Sequence, residues 1–228
     1  MSAYQQSPVG EICCVFTDIV DSTNMWEHNQ EAMQVALTMH DAIIRAEMVH
    51  FGGYEVKTLG DGFMISFHKP ESALQFCLAA QKKLKATSWP GEIDDYALNR
   101  PSWDGHSNYL RRSVFRVRMG IHFGVPFSCN INRLTGRMDY YGYMVNVASR
   151  IQAEADGDEI ALSDDFIVKL HRCRSGQVLS TNDLTHQIRA SITCLEFSAA
   201  EFRVRSKGLR LLGGVHNPEH VFLIVLRR

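Results

Sequence analysis

The sequence predicts an α+β fold: a ferredoxin-like βαββαβ core, meaning an antiparallel sheet with its helices on one face, followed by a C-terminal α/β extension. Three observations carry this expectation. Short apolar runs at 12–16, 54–59 and 63–67 read as strands. Long stretches with helical spacing, at 29–51 and 71–86, separate or follow them. A strand pattern then resumes at 114–123, which completes the order β-α-β-β-α-β.

Each element has its own signal. Ile-Cys-Cys-Val-Phe at 12–16 is a continuous apolar run that ends at Thr17 and Asp18, as a buried strand does at a sheet rim. In the first helix Met33, Ala36, Leu37, His40, Ile43, Ile44 and Met48 recur at helical spacing, and Gly52-Gly53 supplies the stop. Gly60-Asp61-Gly62 between two apolar runs reads as the tip of a β-hairpin. Ala73, Leu74, Cys77, Leu78 and Leu84 mark the buried side of the second helix. Residues 87–113 hold Trp-Pro-Gly and Arg-Pro-Ser-Trp without sustained period, and read as an insertion loop. Downstream, a helix is expected from about 143 to 155, a strand at 159–163, a short helix at 164–171, β-like stretches around 191–205, and a strand at 221–226. Residues 1–10 are expected to be a flexible segment, and 11–228 a single domain.

Composition excludes several function classes. With 45% hydrophobic and 21% charged residues, the 228-residue chain reads as a soluble globular domain with one substantial core. The formal charge of −1 offers no basic field for nucleic acid or anionic lipid. The longest apolar stretch, at 221–226, is far short of a membrane span. Six cysteines, at 13, 14, 77, 129, 173 and 194, form no Cys-x-x-Cys pair and read as reduced thiols of an intracellular chain. His216 and His220 are four apart, but Asn217-Pro218 between them argues against one helix face.

Three constellations are candidates for chemistry. Asp18 and Asp61 lie at the rims of neighbouring strands, where two carboxylates can hold Mg²⁺ or Mn²⁺; turn residues explain them equally well. Ile-Val-Asp-Ser-Thr at 19–23 can point backbone N–H groups at phosphate, although Ser22 or Thr23 is more simply a helix N-cap. Asn146 and Arg150 are four apart on one helix face and suit a sugar and a phosphate, as does a solvated face. Lys57 and Asp139 supply a donor and an acceptor that could read a purine edge.

Taken together these segments resemble the class III adenylyl cyclases. The likeness rests on Val-Phe-Thr-Asp-Ile at 15–19, Gly-Tyr-Glu-Val-Lys-Thr-Leu-Gly-Asp at 53–61, Val-Arg-Met-Gly-Ile-His-Phe-Gly at 117–124 and Met-Asp-Tyr-Tyr-Gly-Tyr-Met-Val-Asn-Val-Ala-Ser-Arg at 138–150. Trp-Pro-Gly-Glu-Ile at 89–93 and Asn-Pro-Glu at 217–219 add similarity to the Ras-regulated fungal type, and trypanosomal cyclases are similar too.

The resemblance implies that ATP becomes cyclic AMP and pyrophosphate through attack of the ribose 3′-hydroxyl on the α-phosphate. It implies two divalent ions, Mg²⁺ or Mn²⁺, on Asp18, Asp61 and the Ile19 carbonyl. Asn146 would position ribose, Arg150 would meet charge on the α-phosphate, and Arg118 would touch the triphosphate. Lys57 and Asp139 would read adenine; guanylyl cyclases carry an acidic residue and a small thiol or hydroxyl there. It also implies a homodimer with the site between the two copies, a cytoplasmic location, and a regulator carried by a larger parent protein. One position departs from the pattern. The family's late phosphate lysine falls in Gly-Leu-Arg-Leu-Leu-Gly-Gly at 208–214, and Lys207 just before it, or else Arg210 within it, is the expected substitute. A guanylyl cyclase, or a catalytically weak nucleotide-binding module of the same fold, are the alternatives.

Overall fold

The structure is a computed structural model that describes residues 6–99, 115–175, 184–195, 197 and 199–227. The first strand, β1 (Ile12–Ile19), ends one residue beyond Asp18. A short helix α1 (Ser22–His28) follows and leads into α2 (Gln30–His50). Neither Ser22 nor Thr23 caps α1: the N-cap is Asp21, in a left-handed conformation without a side-chain cap bond. Asn29 caps α2 instead, its side chain accepting from the Ala32 N–H at 3.0 Å.

The hairpin β2 (Tyr54–Leu59) and β3 (Gly62–Phe67) turns on Gly60 and Asp61 as expected, with Gly60 at φ 66°. Helix α3 (Pro70–Ala86) starts on a proline whose missing N–H costs nothing at the first helical position. The segment expected as a loop at 87–113 contains a helix, α4 (Gly91–Asn99). Trp89 and Ile93 are buried, and Trp89 stacks on Phe115 at 4.2 Å between ring centroids. The rest of that segment lies outside the described residues.

Strand β4 (Val117–Gly124) completes the antiparallel core in the order β2-β3-β1-β4. The extension is β5 (Ser128–Ile131), β6 (Met138–Tyr141), α5 (Tyr143–Ala153), β7 (Glu159–Ser163), α6 (Asp164–Ser175), α7 (Leu184–Cys194), β8 (Phe202–Arg210) and β9 (Glu219–Leu226). It prolongs the sheet to β2-β3-β1-β4-β7-β9-β8. Strand β7 runs parallel to β4, so the full sheet is mixed: β2-β3-β1-β4 and β7-β9-β8 are each antiparallel and meet at one parallel pairing. The β-like reading around 191–205 is half wrong. Helix α7 occupies its start because Leu184, Ile188 and Ile192 bury on one side, and the strand begins only at Phe202.

The two faces of the sheet are covered differently. Val15, Phe63, Ile65, Phe67, Met119 and Ile121 pack with α2, α3, α6 and α7 in the main core. Ile12, Cys14, Phe16 and Met64 point the other way, against Tyr140 and the Met144 and Ala148 of α5. Helix α5 therefore lies on the face opposite α2 and α3, with Val147 and Ile151 packed on Ala161, Val221 and Leu223. Gly120 makes this possible, because a β-carbon there would come within 2.3 Å of the Gln152 backbone. The two helices of the core share one sheet face as expected, and α5 of the extension covers the other.

Candidate active site

By alternation along β1, Asp18 falls on the α5 face with Ile12, Cys14 and Phe16. Arg118 lies opposite it in the β1–β4 register and on the same face. The guanidinium donates to Asp18 Oδ2 through Nε at 2.8 Å and also through Nη2. Asp61 sits in the tight turn beside them. Gly62 presses that turn against β1, since a β-carbon on it would lie 2.2 Å from the Thr17 carbonyl oxygen and 3.5 Å from the Asp18 Cα. Thr17 locks the same junction by accepting from the Phe63 N–H at 3.1 Å. The turn that carries Asp61 is thus seated against the β1 backbone beside Asp18.

Asp61 Oδ2 is buried and has no hydrogen-bond partner among the described residues. A buried carboxylate oxygen left unpaired costs free energy, roughly 1–3 kcal/mol or more for a charged group. A divalent cation removes that cost, so the donor set fits one: two carboxylates and backbone carbonyls are the hard oxygen ligands that Mg²⁺ and Mn²⁺ prefer.

Lys57 and Asp139, 82 residues apart, are bonded to each other: Lys57 Nζ donates to Oδ1 at 2.9 Å and to Oδ2 at 2.8 Å. Two local devices bring them together. A register shift between Glu55 and Lys57 turns Lys57 to the face that Val56 already occupies. The β5–β6 hairpin then hangs on β2, with the Met138 N–H donating to the Tyr54 hydroxyl at 2.9 Å and Arg137 Nη1 to the Glu55 carbonyl at 2.6 Å. Asp139 is nearly buried, and its oxygens also accept from the Tyr140 N–H at 2.9 Å and the Tyr141 hydroxyl at 3.2 Å.

Asn146 and Arg150 share the exposed side of α5, away from its buried Met144, Val147, Ala148 and Ile151. Glu154, one turn further along the same stripe, caps the helix. Lys207 reaches it from β8: Nζ donates to the Glu154 carbonyl and to Oε2, both at 2.8 Å. Arg210 Nε adds a bond to Oε2 at 3.1 Å. Burial pushes the Glu154 carboxyl up, but the bonds and charges of Lys207 and Arg210 outweigh it and hold it below the usual carboxylate range. Ile19 is buried in the main core and contributes only its backbone to the rim.

The structure therefore gathers Asp18, Asp61 and Arg118 on one rim, Lys57 with Asp139 beside β6, and Lys207 at the end of the helix bearing Asn146 and Arg150. Tyr54, Arg137, Tyr141 and Glu154 are additions that sequence reasoning missed. The Tyr-Tyr following Asp139 was a visible signal for one of them. A separate acidic group, Asp164, Asp165 and Glu219, brings three carboxylates within 4.8 Å of one another on α6 and β9.

Comparison with known proteins agrees with this architecture. The chain is 41% identical over 233 residues to an adenylate cyclase of Neurospora crassa, covering 98% of this chain and 10% of that protein. It is 40% identical to an adenylate cyclase of Podospora anserina, again with 97% of this chain against 10% of the relative. The chain thus spans about a tenth of the length of these relatives. Among solved structures, an adenylate cyclase of Trypanosoma brucei in its monomeric state superposes with a TM-score of 0.72 at 25% identity, covering 98% of this chain and 93% of the other. Residues 4–195 match the family described as adenylate and guanylate cyclase catalytic domain, and the chain belongs to that family.

Proposed function

We propose that this chain is the catalytic domain of an adenylyl cyclase, running from 11 to 228 as one unit, that converts ATP to cyclic AMP and pyrophosphate between two copies of itself. The observation that carries the choice of ATP is the Lys57–Asp139 pair. Adenine offers an acceptor at N1 and a donor at its amino group, which suit an ammonium and a carboxylate held side by side. Guanine presents the opposite edge.

Asp18, Asp61 and the Ile19 carbonyl would hold two divalent ions, Mg²⁺ or Mn²⁺, which when bound make the ribose 3′-hydroxyl more acidic and neutralise the triphosphate. The other roles belong to side chains of this protein. Arg118 holds Asp18 in place through Nε, and would turn to the triphosphate once the Asp18 charge has another partner. Asn146 would orient the ribose so that its 3′-oxygen lies in line with the bond from the α-phosphorus to the leaving pyrophosphate. Arg150, exposed and with no partner among the described residues, is available for the charge that grows on the α-phosphate. Lys207 would serve the phosphates from the end of the same helical stripe by exchanging Glu154 for them.

A second copy is supported by the exposed apolar side chains around the β5–β6 hairpin: Phe127 is 91% exposed and Leu134 96%. No described helix is long and apolar enough to cross a membrane. The relatives' far greater length supports a regulator carried elsewhere in a larger parent.

The test is product formation by the purified chain with Mn²⁺ and either ATP or GTP at several protein concentrations. Cyclic AMP should form in preference to cyclic GMP. Asp18→Asn and Asp61→Asn should each abolish it, and activity surviving in both variants would defeat the metal assignment. Mixing inactive Asp18→Asn with inactive Arg150→Ala should restore activity, because one of the two sites in a mixed dimer is then intact.

A further inference from the structure

Asp139 is saturated. An ionised carboxylate offers about four lone-pair sites. All four are taken here: Oδ1 accepts from Lys57 Nζ and the Tyr140 N–H, and Oδ2 from Lys57 Nζ and the Tyr141 hydroxyl. A base whose amino group donates to Asp139 must therefore displace one of the present donors.

The four are not equally displaceable. The Tyr140 N–H belongs to strand β6 and cannot leave without breaking it. Lys57 is needed beside the base, and its ammonium has three protons, so two bonds to Asp139 leave one for a ring nitrogen. The Tyr141 hydroxyl makes the longest of the four bonds, 3.2 Å against 2.8–2.9 Å. It also belongs to a residue that is 47% exposed, and its ring centroid lies 5.8 Å from Lys57 Nζ.

We propose that the Tyr141 hydroxyl is a stand-in for the amino group of adenine: it fills that lone pair of Asp139 when the site is empty and yields it when the nucleotide enters. This rests on the reading of Lys57 and Asp139 as the adenine-recognising pair. The stand-in keeps a nearly buried carboxylate satisfied between turnovers, at the cost of a competitor that every incoming ATP must displace. Guanine, with an acceptor where adenine has its amino group, gains nothing from that displacement. A hydroxyl left in place can even rotate to donate to it. Removing the hydroxyl should therefore favour ATP and sharpen its preference over GTP.

The experiment compares the unaltered chain with Tyr141→Phe and Asp139→Asn, using Mn²⁺ with ATP, GTP and 3′-deoxy-ATP, which binds but lacks the attacking hydroxyl. In Tyr141→Phe the Kd for 3′-deoxy-ATP and the KM for ATP should fall roughly three- to ten-fold, the weight of one exchanged hydrogen bond, while the GTP values do not fall. The change should appear in KM and not in kcat. If Kd and KM for adenine nucleotides stay unchanged or rise in Tyr141→Phe while Asp139→Asn still erodes the preference for ATP, the stand-in role is overturned and the recognising pair survives. If Asp139→Asn leaves the ATP-to-GTP ratio untouched, the pair itself is wrong and the inference falls with it.

Discussion

Burial pushes the His122 imidazole down to about 4, because the ring has lost its water and keeps only a 2.8 Å contact with the Ser163 hydroxyl. The unfolded chain takes up that proton near 6.5 and the folded chain not until about 4. Stability contributed by the neutral ring is therefore present above 6.5 and is lost as the pH falls toward 4, by about 3 kcal/mol in all. Glu219 acts in the opposite sense. Burial first, and then the negative charges of Asp164 and Asp165, raise its carboxyl to about 7. Its penalty is absent below about pH 4.5, where both states are protonated, and grows as the pH rises through 7. Glu219→Gln should thus be more stable than the unaltered chain at pH 8 and lose that advantage by pH 5, as read from urea-denaturation midpoints. Between pH 7 and 5 the two effects oppose each other in the unaltered chain, so His122→Gln, which keeps only the relief at Glu219, should gain stability relative to the unaltered chain as the pH falls through that window.

At the scale of elements, the contact between α5 and β4 carries the clearest prediction. In Gly120→Ala the new methyl group meets backbone atoms of Gln152, not a flexible side-chain end that can swing away. The helix must lift, and overpacking of this kind costs typically about 1–3 kcal/mol. Thermal unfolding should register the loss, and cyclase activity should fall further than stability does because Asn146 and Arg150 ride on the displaced helix. Trp89 offers a second case. Its ring is buried against Phe115, so Trp89→Ala should cost about 3–5 kcal/mol in denaturation experiments.

The elements also differ in how far the sequence announced them. Helices α2 and α3 and the hairpin around Asp61 carry long apolar periods or paired glycines and were legible. Helix α4 is nine residues long, and among its described positions only Ile93 is fully buried, too few to show a period. The β5–β6 hairpin was invisible because its strands have four residues each and most of β5 is exposed, so no alternation forms. It is held by Tyr54, Glu55 and Lys57 of a distant strand, contacts that no local pattern encodes. Thr193 and Cys194 look strand-like locally, yet Leu184, Ile188 and Ile192 need a helix to reach the core together.

Across the whole molecule, the antiparallel four-strand core follows from element order, which the sequence displays; the parallel entry of β7 beside β4 does not, because strand order beyond the core depends on where α5 crosses. The candidate site residues stand out in the sequence by type and position, since four motifs in fixed order mark them. Their present partners were not: Arg118 on Asp18 and Lys207 on Glu154 are choices made by register and by a bulge between Ser206 and Gly208. If two copies share each site, dilution separates them, and specific activity should fall as protein concentration is lowered, in step with the dimer fraction measured by sedimentation.

Gly120 has one more consequence. Elsewhere a helix rests on a sheet through a layer of side chains, which can tilt and repack to absorb a small displacement. Where a helix backbone lies directly on a strand backbone, that compliant layer is missing. Helix and sheet then move as one stiff body, and Asn146 and Arg150 keep a fixed address relative to Asp18 of their own chain. If two copies share each site, as proposed, a change in activity would then come from one stiff copy turning against the other rather than from flexing within either.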